Sequence, residues 1–306
     1  MDSPILFLIF DRPDTTQKVF ESIKRQKPKQ LFIAADGPRM NEPGEAIKCK
    51  QTREIINQID WDCEVKTLFR DINLGCGVAV SSAITWFFEN VNEGIILEDD
   101  CFPDHSFFRY CDELLSFYRE DTSIMMISGN NFQGGIKRSE GSYYFSHYAH
   151  IWGWASWRRA WRCYDYNMEA FPAFLKDNKF NHIFSDKKQV RATIKTMSRA
   201  YKKYYNTWDY QWSFSIWEHN GMCIIPEVNL VTNIGFDSRG THTNTSDTKS
   251  ACIPTIPMKF PLIHPIHKEI NKEADYYTFI NVLFQPFFLK IKILLKRFLT
   301  RLSFFL

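Results

Sequence analysis

A chain of 306 residues with 44% hydrophobic and 24% charged side chains has a globular balance, which excludes a disordered or fibrous polymer. The length corresponds to about two folding units at roughly 150 residues each. Net charge is +3, but residues 287–306 alone carry five cations and no acid, so the chain before them is slightly acidic and a globally basic nucleic-acid binder is disfavoured.

The opening PILFLIF is apolar, yet it lacks a basic flank and a small-residue cleavage site and runs straight into Asp11-Arg12-Pro13. It therefore reads as a buried strand over 5–10 and not as a leader. Asp14-Thr15-Thr16-Gln17 has capping-box spacing and predicts a helix starting near Asp14. LFIAA (31–35) is a second strand, stopped by the turn signal Asp36-Gly37-Pro38. Ile47, Ile55, Ile56 and Ile59 sit at helical spacing within 45–59, and CEVKTLF (63–69) is a third strand. A helix over 78–88, a strand over 94–97, a helix over 107–118 and the strand IMMIS (124–128) close the series. This alternation predicts a parallel sheet covered on both faces, with ligands at the carboxyl ends of its strands.

After Gly129 the alternation stops. Residues 143–165 are rich in Trp and Tyr, 170–205 read as helical and basic, and 221–242 as irregular strands. This half is expected to complete the sheet and build an acceptor side. Residues 243–262, polar and then Pro-rich, read as a connector to the C-terminal tail. Aromatic residues reach 16%, which suggests a stacking or lipid-contacting surface as well as a core. The eight cysteines show no metal-ligand spacing and read as reduced thiols of a cytosolic protein. No run of about 18 uncharged apolar residues is present to span a bilayer.

The strongest constellation is IILEDDCFPDHSFF (95–108). A buried-type run ends in Glu98, Asp99 and Asp100, three adjacent carboxylates that repel one another unless a cation or donors offset them. A hard divalent ion bound by one or two of these oxygens, with diphosphate and water completing its shell, would do so. An acidic turn capping the following helix is the bland alternative. Arg12 offers a guanidinium fork suited to phosphate or ribose oxygens.

The ordered set (Asp-Arg after strand one, Asp after strand two, Glu-Asp-Asp after strand four, then Gly-Trp, then Trp-Asp) resembles GT-A fold glycosyltransferases. The likeness is to the N-acetylglucosaminyltransferase I type and to bacterial haemolysin-like glycosyltransferases, and it covers about residues 4–242. It implies an α/β fold, a Rossmann-like mixed sheet with flanking helices. Residues 1–262 would form the transferase domain, with 1–130 as the nucleotide-sugar half and 131–262 as the acceptor-side half, and 263–306 would be a basic amphipathic tail. The resemblance makes Asp100 the ligand of Mn²⁺ or Mg²⁺ on a UDP-sugar, and Glu98 and Asp99 contacts to donor sugar and ribose. Arg12 would contact the nucleotide and Asp36 would accept from the uracil N–H, with a turn-starting role for Asp36 nearly as plausible. Arg70 and Asn73 would be donor contacts, while Gly75 and Gly77 would relieve backbone crowding. Trp152, Gly153 and Trp154 go to the site, Trp157 and Trp161 to the core, and Arg158 and Arg159 could meet anionic groups. Asp209, between Trp208 and Tyr210, would be the general base, and His242 a diphosphate or metal contact.

In the tail, Ile291, Leu294, Leu295, Phe298, Leu302 and Phe305 form one helical stripe beside Lys290, Lys292, Lys296, Arg297 and Arg301. This pattern suits an anionic membrane surface, or a helix docked on the domain or a partner. The combined expectation is a metal-dependent inverting glycosyltransferase of surface polysaccharide synthesis, cytoplasmic and peripheral on the membrane. Its partners would be a nucleotide-sugar and a glycan or lipid-linked acceptor. The rivals are a sugar-1-phosphate nucleotidylyltransferase, which would need a Gly-rich basic loop where FDRPDTT stands, and a haemolysin-like membrane-binding protein.

Overall fold

The structure, a computed structural model, describes residues 1–236 and 252–284. His242 and the tail stripe of 287–306 lie outside the described residues. Strands β1 (Ile5–Ile9), β2 (Gln30–Ala35), β3 (Glu64–Phe69) and β4 (Glu93–Glu98) are parallel, in the spatial order β3-β2-β1-β4. The apolar runs are continuous because both faces are covered. Ile5, Phe7 and Ile9 enter one core cluster, and Leu6 and Leu8 enter the other. Helices α1 (Pro13–Gln26), α2 (Glu45–Glu54), α3 (Gly75–Asn90) and α4 (His105–Phe117) connect or follow these strands.

The capping box predicted at Asp14 is not what starts α1. The helix begins one residue earlier, with Pro13 in its first turn, and Thr16 Oγ1 donates to Arg12 O at 2.7 Å. Proline's fixed φ and missing N–H suit that position.

The sheet is mixed, as a Rossmann-like mixed sheet requires, but the strand over 124–128 does not join β4 directly. A short β5 (Cys101–Pro103) leaves the sheet, and β6 (Ile124–Ser128) is separated from β4 by an intervening antiparallel strand, β8 (Trp154–Trp157). The full order is β3-β2-β1-β4-β8-β6-β9-β7, with β7 at Tyr143–Ser146 and β9 at Met222–Pro226, while β10 (Val231–Asn233) pairs with β5. All four residues of β8 are buried. Tryptophan supplies enough apolar area on both faces for a central position.

Among the described residues most of the tryptophans lie in the core, as expected of part of the aromatic excess. Trp154, Trp161, Trp208 and Trp212 form one cluster, with Trp154 stacked on Trp208 at 5.6 Å between ring centroids. Helices α5 (Arg158–Trp161), α6 (Phe171–Lys176), α7 (Phe180–Ile183), α8 (Lys187–Tyr201) and α9 (Asp209–Glu218) surround it. Arg158 and Arg159 do not face a ligand. Arg158 donates to the carbonyls of Phe88, Glu89 and Val91 at the end of α3, and Arg159 to those of Tyr118, Arg119 and Ile124 beyond α4. Both therefore spend their donors on backbone carbonyls at the end of α3 and between α4 and β6.

Residues 263–284, expected as the start of a tail, include α10 (Lys272–Thr278), which packs beside β7. Asp275 is buried, accepting from Ser146 Oγ at 2.5 Å and from His147 N at 3.0 Å, and Ala274 and Phe279 enter the core. Among the described residues no helix is long and apolar enough to cross a membrane.

Candidate active site

Strand order reverses around β1, which has β2 on one side and β4 on the other, and an open α/β sheet leaves a crevice at such a point. A cavity of about 650 Å³ lies there, and Arg12, Asp36, Arg70, Asn73, Glu98, Asp99, Asp100, Trp152 and Asp209 all line it. The chain thus brings residues from position 12 to position 209 to one pocket.

Arg12 follows β1, and Asp99 and Asp100 follow Glu98 at the end of β4, a neighbouring parallel strand, so Arg12 meets both aspartates. Arg12 Nη1 lies 2.8 Å from Asp100 Oδ2 and 3.9 Å from Asp99 Oδ1, all three side chains being at most 15% exposed. Phe10 N donates to Asp99 Oδ2 at 3.0 Å, and Asn233 Nδ2 to Asp100 Oδ1 at 3.3 Å. Gly235 is required beside this pair, because a Cβ there would stand 2.3 Å from Asp100 Oδ2. The Glu98 carboxylate receives no hydrogen bond among the described residues. Burial first, then the charges of Asp100, Asp99 and Asp209, push its carboxyl well above the usual range. Burial and Asp100 do the same to Asp99. Among the described residues, six carboxylates line the pocket (Asp11 and Asp36 besides the four already named) against the guanidinium groups of Arg12, Arg39 and Arg70.

That imbalance fits a bound cation. Among the described residues no group of three or more His, Cys, Asp or Glu side chains is arranged to hold one alone. A cation here would therefore need further ligands from a bound anion or water.

Asp209 opens α9 between Trp208 and Trp212, which are both fully buried in the tryptophan cluster, and this fixes its position at the pocket wall. Thr207 Oγ1 hydrogen-bonds its carboxylate. The segment before it is locked to α3. Gly77 N donates to Asn206 Oδ1 at 3.0 Å, and a Cβ on Gly77 would meet Tyr166 OH at 2.8 Å and Thr207 O at 3.0 Å. Gly75 holds φ at +76° with Asn206 Nδ2 close by, so the two glycines do make room, and what they make room for is Asn206.

Three expectations take a different form. Asp36 spends both oxygens on backbone: Oδ1 accepts from Gly37 N and Leu74 N, and Oδ2 from Leu74 N and Gly75 N, each at 3.0 Å. It caps the start of α3, in keeping with the turn-starting alternative, while still lining the cavity. Trp154 is fully buried in the tryptophan cluster and does not line the pocket, whereas Trp152 does. Gly153, at φ +69°, turns the chain between them, and its carbonyl accepts from Gly129 N at 2.7 Å. Asn73 Nδ2 donates to Gly37 O and Arg70 Nη2 to Ser82 Oγ, both at 2.8 Å, so both shape the rim.

The sequence reading did not single out Cys76, Arg39, Tyr205 or Tyr210, which also line the cavity. Burial and the carboxylates of Glu98, Asp209, Asp36 and Asp100 push the Cys76 thiol up to about 12, so it stays neutral. Arg39 stands three residues after Asp36 and bonds Glu45, a partner that the AADGPR string alone could not indicate.

No protein-family model and no curated protein matches this sequence. Solved structures with similarity include Staphylococcus aureus TarS 1–349 at 11% identity and TM-score 0.35, over 58% of this chain and 49% of that one. Yersinia pseudotuberculosis HddC is 12% identical with TM-score 0.32, over 51% and 77% of the two chains. Mouse xyloside xylosyltransferase 1 is 9% identical with TM-score 0.32, over 71% and 81%. The chain spans about half the length of the TarS structure.

Proposed function

We propose that the protein is a GT-A glycosyltransferase that moves a sugar from a nucleotide diphosphate-sugar, UDP-linked, to a hydroxyl of a glycan or lipid-linked acceptor. One observation carries this reading: an acidic cluster at the carboxyl end of β4 shares a cavity of about 650 Å³ with a carboxylate delivered by a separate helix. A one-step inverting displacement needs two such groups, one on the leaving side and one on the attacking side.

Asp100, braced by Arg12 and Asn233, is the residue that would hold Mn²⁺ or Mg²⁺. The ion's chemistry there is to neutralise charge on the departing diphosphate. Glu98 and Asp99 would face the donor sugar and ribose, and Arg12 adds positive charge beside the phosphates. Asp209 takes the proton from the acceptor hydroxyl as it attacks, with Thr207 orienting its carboxylate. Trp152, packed edge-on against Phe132 and Phe236, offers an indole face to a sugar ring. The basic stripe of 287–306 would hold the enzyme at an anionic membrane surface.

The test is release of UDP from a panel of UDP-sugars with and without Mn²⁺, followed by NMR of the glycoside formed. Metal-dependent release and an inverted anomer are expected. A retained anomer removes the Asp209 assignment, and failure to release any nucleotide removes the transferase reading.

A further inference from the structure

Helix α8 lies outside the pocket, and its charge is not used by the chemistry above. Residues 187–203 hold seven cations and no acid. Lys188, Arg191, Lys195, Arg199 and Lys202 recur at steps of three or four, which places them on one face of the helix, and all five are exposed. Among the described residues none of the five is in an ion pair. Val190, Thr193, Met197 and Ala200 occupy the opposite, buried face. Over 15 residues the helix runs about 22 Å at roughly 1.5 Å per residue.

The stripe leads to the pocket. Arg199 lies 5.1 Å from the ring centroid of Tyr205, and Tyr205 packs on Tyr210 at 5.2 Å; both tyrosines line the cavity beside Asp209. A row of like charges on one helix face, with no acid among them, raises the local positive potential and draws anions toward it.

We propose that this stripe is the docking track for an extended polyanionic glycan acceptor, one bearing carboxylates or phosphodiesters along its chain. The inference rests on the transferase reading and names its acceptor class. The anionic chain lies along α8, Tyr205 and Tyr210 stack on the terminal sugar, and its free hydroxyl reaches Asp209. A bilayer is the poorer fit, because an interfacial helix buries an apolar face in lipid and the apolar face of α8 is already in the core.

The experiment uses the full chain and the triple variant Lys188→Glu, Arg191→Glu, Lys195→Glu, which leaves Arg199 on Tyr205. Fluorescence anisotropy is measured with labelled polygalacturonate, poly(glycerol phosphate) and neutral dextran oligomers of equal length. The first two distinguish carboxylate from phosphodiester recognition. Wild type is expected to bind at least one anionic polymer, more weakly as salt rises, and not dextran. The triple variant should lose about tenfold or more, at about two- to fivefold per exposed pair. Lys188→Gln with Lys195→Gln should fall between. Acceptor-independent UDP release should be unchanged in all variants, which separates this proposal from the function it rests on. Equal binding by wild type and triple variant, or no binding of either anionic polymer, overturns the proposal. So does a variant that loses single-stranded oligonucleotide or phosphatidylglycerol vesicle binding while keeping glycan binding.

Discussion

Asp100 and Asp209 carry the same functional group in one pocket, among different neighbours. Asp100 is held between Arg12 and Asn233, which keep its oxygens directed and offset part of its charge. Asp209 accepts from the Thr207 hydroxyl, which orients it. Asp209→Asn keeps the shape but cannot take a proton, so kcat should fall ~10²–10⁴-fold while UDP affinity measured by calorimetry is retained. Asp100→Asn preserves the size beside Gly235 and should abolish the response of UDP affinity to Mn²⁺. Undiminished metal response in that variant would reject Asp100 as the anchor. The acid triplet was legible because three carboxylates after a buried run form a local pattern. The cap that Asp36 places on α3 was not, because it joins the amide of Leu74, 38 residues away, which local sequence does not display.

At the scale of elements, the position of Asp209 depends on the fit between α3 and the segment that enters α9. Gly77 has no room for a side chain, since Tyr166 OH and Thr207 O stand where a Cβ would go. Gly77→Ala should therefore destabilise the fold by about 1–3 kcal/mol in urea unfolding. Because Thr207 is the residue displaced, kcat should fall more than donor affinity. Sequence spacing located both glycines but not the partner, which arrives from position 206. Arg158 and Arg159 teach the same lesson. Their charge suggested an anionic ligand, whereas the end of α3 and the segment leading from α4 into β6 supply the carbonyls they bind.

Across the whole molecule, α10 closes the edge of the sheet near β7 through a buried acid. Burial pushes Asp275 up to about 7, despite hydrogen bonds from Ser146 and His147 that act in the opposite direction. The folded state therefore favours the protonated form. That contribution is fully present below the unfolded value near 4 and is lost as pH rises through about 7. The stability of Asp275→Asn relative to wild type should accordingly rise between pH 4 and 8, read from denaturation midpoints at each pH. A flat difference would mean that the carboxyl is solvated. A chain ending at residue 262 lacks Asn271, Asp275 and Thr278, which pair with Phe145, Ser146 and Gln133. It should show an earlier thermal transition and bind dyes specific for exposed apolar surface; an unchanged transition would make α10 dispensable.

What the sequence determined by itself was the local content. Apolar runs of five or six residues bounded by Asp-Gly-Pro or acidic turns specified β1, β2 and β4, because a strand buried on both faces has little choice of composition. The same runs placed Arg12 and Glu98–Asp100 at strand ends. The tertiary structure alone decided who stands next to whom. Strand β8 inserts between β4 and β6 because four buried residues, two of them tryptophans, fill the sheet's centre, and no periodicity announces that choice of neighbour. The same holds for Trp154 and Trp152, two residues apart and identical in chemistry. One is buried under Trp208 and the other lines the cavity, because Gly153 turns the chain between them.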